Sequence, residues 1–268
     1  MMSRYIARIA GIPLAALAAL ALAVPMAQAQ TPASGYSQFA GCPSPAEKAG
    51  VEVCETTTIY GGNLHIGNKE TPITKPITLS GGFGGEGGPF YYNSKGGLTK
   101  AKQKVNGGLI GLTGLTWLAE VLGSDALTLY ATAELAGQPI ITSAEDVTLP
   151  LKMHLENSTG VLGSSCYIGS SSSPVMLHLV TGTSGSLTGV APEYEFLETG
   201  ILKATGGTFV DGTFKAPAAS GCVLKLLGFI PVNIDGVINL ASGLPASSGN
   251  YTSQKFNLEV TSSELVYP

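Results

Sequence analysis

Val147-Thr148-Leu149-Pro150-Leu151-Lys152-Met153-His154-Leu155-Glu156 is the run on which the fold turns. Every odd-numbered position in it is apolar, and the even positions bring a hydroxyl, a proline, an amine, an imidazole and a carboxylate. Successive side chains of a strand point to opposite faces, so this run reads as a strand with one face in a core. The same period of two recurs on both sides. Leu127, Leu129, Ala131, Ala133 and Leu135 oppose Thr128, Tyr130, Thr132 and Glu134, while Phe256, Leu258 and Val260 oppose Asn257, Glu259 and Thr261. Val175 to Val180 is apolar on both faces apart from His178, which predicts a more central strand. Ser/Gly clusters at Gly169 to Ser173, Gly182 to Ser186 and Ser247 to Gly249 separate these runs, and no regular β-helix-β alternation is visible. Together they predict a mainly β chain: an antiparallel β-sandwich or barrel-like fold with one or two short helices.

Toward the N-terminus, Val51 to Tyr60 is rich in Val, Thr, Ile and Tyr and predicts another strand, which Gly61-Gly62-Asn63 would end in a turn. Asn63 to Ile66 and Ile73 to Leu79 read as further extended segments, with Pro72 and Pro76 arguing for an edge because proline cannot donate to a ladder. Gly81 to Pro89 holds six glycines and predicts a mobile loop. From Gly107 to Gly123, Leu109, Leu112, Leu115, Leu118 and Leu122 fall at helical spacing, with Thr113 or Thr116 as a cap; the competing reading is an irregular buried strand, because Gly111 and Gly114 weaken a helix by about 1 kcal/mol each. A second short helix is expected from about Asn233, a serviceable cap.

The first 29 residues read as an export signal. Arg4 and Arg8 precede an apolar run from Ile9 to Val24, and Ala27-Gln28-Ala29 offers a cleavage site before Gln30. The run falls short of the roughly 20 residues that span a bilayer, and no membrane anchor is expected after its removal. Residues 30–41 are small and polar and suggest a flexible leader; residues 42–268 are expected to form a single β domain. Without the signal the chain carries 12 basic and 18 acidic residues, a formal charge of −6, so a nucleic-acid footprint is not expected. Charged residues are only 12% of the chain, so solubility must rest on hydroxyl and amide groups. Four cysteines, Cys42, Cys54, Cys166 and Cys222, in an exported chain predict two disulfides. Of the three possible pairings, Cys42 with Cys54 and Cys166 with Cys222 is favoured: the first two flank a short proline-containing loop, and the others sit in similar Gly/Ser-rich turns.

Catalytic patterns are sparse. No serine has glycine at both −2 and +2, as a nucleophile elbow requires. His65, His154 and His178 lie far apart in sequence, outside H-x-H or H-E-x-x-H spacing, so no metal site or cofactor is expected. The Gly-rich stretch lacks the spacing of a phosphate cradle. Glu193 and Glu195 would share one face of a strand and could serve as an acid and base pair, although Tyr194 and Phe196 would then face the core and leave both carboxylates in solvent. Phe90, Tyr91, Tyr92 and Asn93 form the one aromatic cluster, and flat rings beside amides are how an extracellular module grips a sugar. These four are the candidate ligand-binding residues; the alternative is that the rings close one end of the core. Asn157-Ser158-Thr159 and Asn250-Tyr251-Thr252 match the N-glycosylation pattern.

Leu149 to Gly182, with its segment Ser164-Ser165-Cys166-Tyr167-Ile168-Gly169-Ser170, resembles a group of secreted proteins of unknown function from high-GC Gram-positive bacteria. Phe214 to Cys222 is similar to the same group. The resemblance spans about half the chain after the signal. It implies export and a Cys166 to Cys222 bridge and assigns no catalytic or ligand residue. The expected function is therefore a secreted, non-catalytic extracellular or cell-envelope protein, a structural or binding module with a cell-wall polymer or polysaccharide as partner. The alternative is a secreted hydrolase acting on polysaccharide, which a deep pocket with convergent carboxylates would favour. Self-assembly through exposed strand edges is a third possibility.

Overall fold

The computed structural model describes residues 30–85, 88–122, 127–226 and 229–268; the expected export signal lies outside them. A 3-10 turn at Ser37–Phe39 precedes β1 (Val53–Ile66), β2 (Lys69–Pro72) and β3 (Ile77–Phe83). Short β4 (Gly97–Leu98) and β5 (Gln103–Lys104) lead into α1 (Gly108–Thr113) and α2 (Leu118–Leu122). Then come β6 (Leu129–Leu135), β7 (Ile140–Ser143), β8 (Asp146–Asn157), β9 (Tyr167–Ile168) and β10 (Val175–Val180). The small β11 (Thr183–Ser184) and β12 (Leu187–Thr188) pair with each other, and β13 (Glu193–Phe196) and β14 (Leu202–Asp211) follow. Last are β15 (Ala219–Ser220), the hairpin β16 (Val223–Leu226) and β17 (Ile230–Asn233), α3 (Asp235–Ser242), β18 (Tyr251–Ser262) and α4 (Ser263–Val266).

The strands build one curled antiparallel sheet in the order β15-β9-β8-β10-β14-β18-β1-β3-β4. The far edge of β8 takes β7 at Asp146 to Thr148 and β6 at Leu151 to Asn157. Pro150 falls in the gap between these two partners, where no ladder N–H is required, and its carbonyl still accepts from Ala136 N–H at 2.9 Å. The curl returns on itself: Gly82 of β3 bridges Tyr91, and Pro89 bridges Ile140 of β7, which pairs with β8. The sheet thereby encloses a barrel-like interior. Val147, Leu149, Leu151, Met153 and Leu155 all point into it, as their alternation predicted, and meet Ile59, Leu79, Leu177, Leu179, Phe256 and Leu258. Burying each Leu, Ile or Phe contributes roughly 1.5–3 kcal/mol before the entropy of ordering it. At the Ile66 end α1 and α3 close the interior, with Ser242 Oγ donating to Leu112 O at 3.3 Å.

Two disulfides staple this fold, Cys42–Cys54 over 12 residues and Cys166–Cys222 over 56. Such bonds persist in oxidising compartments and fit an extracellular protein. Cys42–Cys54 lies in a second, smaller core on the outside of β1, with Phe39, Val51, Ile201, Val266 and Tyr267. The stretch expected as a flexible leader is thus docked: Phe39 is fully buried and Ala33 N–H donates to Val266 O at 2.8 Å. Tyr267 OH reaches Cys42 O at 2.7 Å and Ser263 Oγ reaches Val51 O at 2.8 Å, so the C-terminal turn closes over the N-terminal one.

Several local expectations change for identifiable reasons. Gly61-Gly62-Asn63 is no turn; β1 runs through it with a bulge, and a Cβ on Gly62 would sit 2.0 Å from Ser253 O of the neighbouring strand. Pro72 does end the edge strand β2, whereas Pro76 lies just ahead of β3, which is paired on both sides. Gly81 and Gly82 continue β3 instead of opening the loop. A Cβ on Gly81 would stand 2.5 Å from the Phe90 ring and one on Gly82 2.6 Å from Cys42 Sγ, so close packing on both faces requires glycine there. The expected helix splits at Gly114, whose φ of 72° ends α1; the cap residue is Gly107, while Thr113 Oγ1 bonds back to Leu109 O. Asn233 Oδ1 accepts from Asp235 N–H at 3.0 Å just ahead of α3, near its expected place. Met176 and His178 of β10 face outward together, so that strand buries one face and not two.

Candidate functional site

The aromatic cluster lies where the sheet closes. Tyr91 exchanges two backbone hydrogen bonds with Gly82, at 2.7 and 2.8 Å, which fixes the segment against β3. Alternation about that bridge sends Phe90 into the core, where it is 1% exposed, so the reading that the rings close the core holds for Phe90 and removes it from the ligand set. Asn93 is half-buried at the surface beside Tyr92, and its amide is engaged within the protein. Its Nδ2 donates to Ala40 O and Cys42 O at 3.0 and 3.1 Å, and its Oδ1 accepts from Lys95 N–H at 2.9 Å, all to hold the loop. Tyr91 and Tyr92 remain at the surface. Lys48 Nζ sits 4.3 Å from the Tyr91 ring centroid, a cation–π contact, and Tyr92 is 45% exposed with its ring against Gly97. An open groove of about 390 Å³ runs on one side of the pair against Leu135 to Gln138. Another of about 360 Å³ runs on the other against Pro43, Glu47 and Lys48. Gln138 Nε2 donates to Phe90 O at 3.0 Å and holds the first groove to the aromatic segment.

The other expected participants stay apart. Glu193 and Glu195 are exposed on β13, and the expectation that Tyr194 and Phe196 face the core is corrected: Phe196 is 74% exposed. The reason is topological. β10 reaches β14 only at Val210, leaving the Leu202 to Thr205 edge open, and β13 fills that edge outside the curl. Tyr194 OH instead donates to Glu145 Oε1 at 2.8 Å, and partial burial followed by that carboxylate pushes its pKa up to about 12. Each histidine has its own structural partner. His65 stacks on Tyr251 and His154 on Tyr167, both at 4.6 Å, and His178 Nε2 meets Asp146 Oδ1 at 3.0 Å. Among the described residues no group of three His, Cys, Asp or Glu side chains could hold a metal. Asn250 of the second glycosylation pattern is 1% exposed, with Nδ2 donating to Phe214 O and Ala246 O and Oδ1 accepting from Gly67 N–H.

One chemically notable residue escaped the sequence reading. Glu55 lies on the inner face of β1 in register with Val53, Thr57 and Ile59, and is 3% exposed. The signal was there only from Val53 on: counting by two places residue 55 with Thr57 and Ile59 inward, although Val51 turns into the outer core. Its carboxyl adjoins a recess of about 280 Å³ at the β1 start, formed by Val53, Phe83, Ile141, Leu202, Val260 and the turn at Thr142 to Ala144. Thr57 Oγ1 donates to Glu55 Oε1 at 2.8 Å. Burial in this apolar setting raises the Glu55 pKa from 4.5 to about 7, against the smaller opposing effect of the Thr57 hydroxyl. No family model, curated protein or solved structure matches this chain.

Proposed function

We propose that this chain is an exported, non-catalytic module that binds a polysaccharide of the cell wall or surroundings across Tyr91 and Tyr92. The carrying observation is the exposed Tyr92 beside the half-buried Tyr91, with an open groove on each side. Sugar rings present apolar C–H faces that stack on aromatic rings, and a surface open at both sides admits an extended polymer without requiring its end. The low charge of the chain supports an uncharged partner, and the two disulfides together with the signal-like residues 1–29 support export. The hydrolase alternative finds less support. Glu193 and Glu195 line neither tyrosine groove nor the Glu55 recess.

The test is retention of the purified protein on immobilised wall polymers and common polysaccharides. Tyr92→Ala is the cleaner variant because Tyr91 also packs on the small core, and the double variant Tyr91→Ala/Tyr92→Ala completes the series. Loss of one stacking contact, about 1–3 kcal/mol, corresponds to retention weakened about 5- to 150-fold with an unchanged melting curve. Retention unaltered by Tyr92→Ala, or absent from the parent protein on every polymer, contradicts the proposal.

A further inference from the structure

Away from the tyrosines, the Glu55 recess combines three features that no structural role accounts for together: a cavity, apolar walls and a buried ionisable group without a counter-charge among the described residues. Val53, Phe83, Ile141, Leu202 and Val260 supply the walls. The charged groups on the surrounding elements are turned away or occupied. Lys203 and Glu259 alternate with the wall residues Leu202 and Val260 and so sit on the opposite face, where Gln38 Nε2 donates to Glu259. Glu145 accepts from Thr181 and Tyr194, Asp146 holds His178, and Glu52, just before β1, is exposed. Thr57 is the one hydrogen-bond partner of Glu55 among the described residues.

We propose that this recess is a binding site for a small amine with an apolar body, whose ammonium group pairs with the Glu55 carboxylate. A buried carboxylate is costly unless a cation accompanies it, and none of the described residues brings one to this place. An incoming ammonium supplies the missing charge, and its hydrocarbon part covers the apolar walls. A volume of about 280 Å³ lies at the lower end of small-molecule pockets and limits the ligand to a short chain or one ring. Below neutrality, binding an alkylammonium expels the Glu55 proton to the buffer, because only the ionised carboxyl pairs with it. A carboxylic acid would behave in the opposite way, sharing a proton with neutral Glu55 at low pH and being repelled once Glu55 ionises.

Titration calorimetry of the whole protein with hexylamine, hexanol and hexanoate, at about pH 5.5 and about pH 8.5, tests this. With Glu55 titrating near 7, the ionised fraction rises about thirtyfold across that interval, so hexylamine affinity should rise by about the same factor. Glu55→Gln, which keeps an acceptor for Thr57, should abolish that rise and leave hexylamine no better a ligand than hexanol. Hexanol binding the parent as well as hexylamine would reduce the recess to an apolar cavity and overturn the proposal. So would hexanoate binding that strengthens toward low pH, or heat from none of the three. Because the pH dependence of the parent is itself a readout, the proposal stays testable even if the variant folds poorly, and its failure leaves the polysaccharide assay untouched.

Discussion

At the scale of single residues, Glu55 makes the sharpest statement about stability. Its folded pKa of about 7 lies above the ordinary 4.5, so between these values the folded protein keeps a proton that the unfolded chain has lost. Stability is undiminished by Glu55 below about pH 4.5, declines as pH climbs, and is lower by roughly 3 kcal/mol once pH passes about 7. Glu55→Gln removes the ionisation. Thermal melts should therefore show the variant gaining on the parent from about pH 4.5 to about pH 8 by roughly 6 to 12 °C; parallel curves would show that Glu55 is solvated. Gly81 makes a steric statement. It lacks a positive φ, so Gly81→Ala strains nothing in its own backbone and acts through the Tyr91 carbonyl oxygen 2.4 Å and the Phe90 ring 2.5 Å from the added Cβ. A loss of about 1–3 kcal/mol in urea denaturation is expected, and a neutral result would mean that the Phe90 to Tyr91 segment moves aside freely.

Elements follow a different logic, because the ladder partners of a strand weigh more than its own composition. The alternation in β6, β8 and β18 was legible, since each packs one face into the interior and leaves most of the other half-buried, although Thr132 and Thr261, read as outward, are buried too. What sequence alone obscured were places where two segments meet closely. Gly62, Gly81 and Gly82 look like breakers, yet they lie inside strands, where Ser253 O, Phe90 and Cys42 Sγ leave no room for a side chain. Those neighbours are distant in the chain, and local propensity contains no trace of them. The inward turn of Phe90 was likewise hidden, since only the Gly82 bridge decides which ring of the cluster faces the core. Both disulfide pairings were legible and stand in the structure. Loop entropy predicts unequal contributions: replacing Cys166 and Cys222 by Ser should cost about 4 kcal/mol, and replacing Cys42 and Cys54 about 3. Urea midpoints of the two double variants check this, and a reversed order would mean that the small outer core depends on its disulfide beyond chain entropy.

For the whole molecule, the curl that joins β3 through Pro89 and Tyr91 to β7 has two consequences at once. It lifts Tyr91 and Tyr92 onto the surface between their grooves, and it wraps Phe83 and Ile141 around Glu55. An open sheet in the same strand order would leave the inner face of β1 in water and Glu55 an ordinary carboxylate. A carboxyl-carbon NMR titration of Glu55 therefore reads out the closure directly. The enclosed barrel-like interior predicts a midpoint of about 7; a midpoint near 4.5 would place Glu55 in solvent and contradict it.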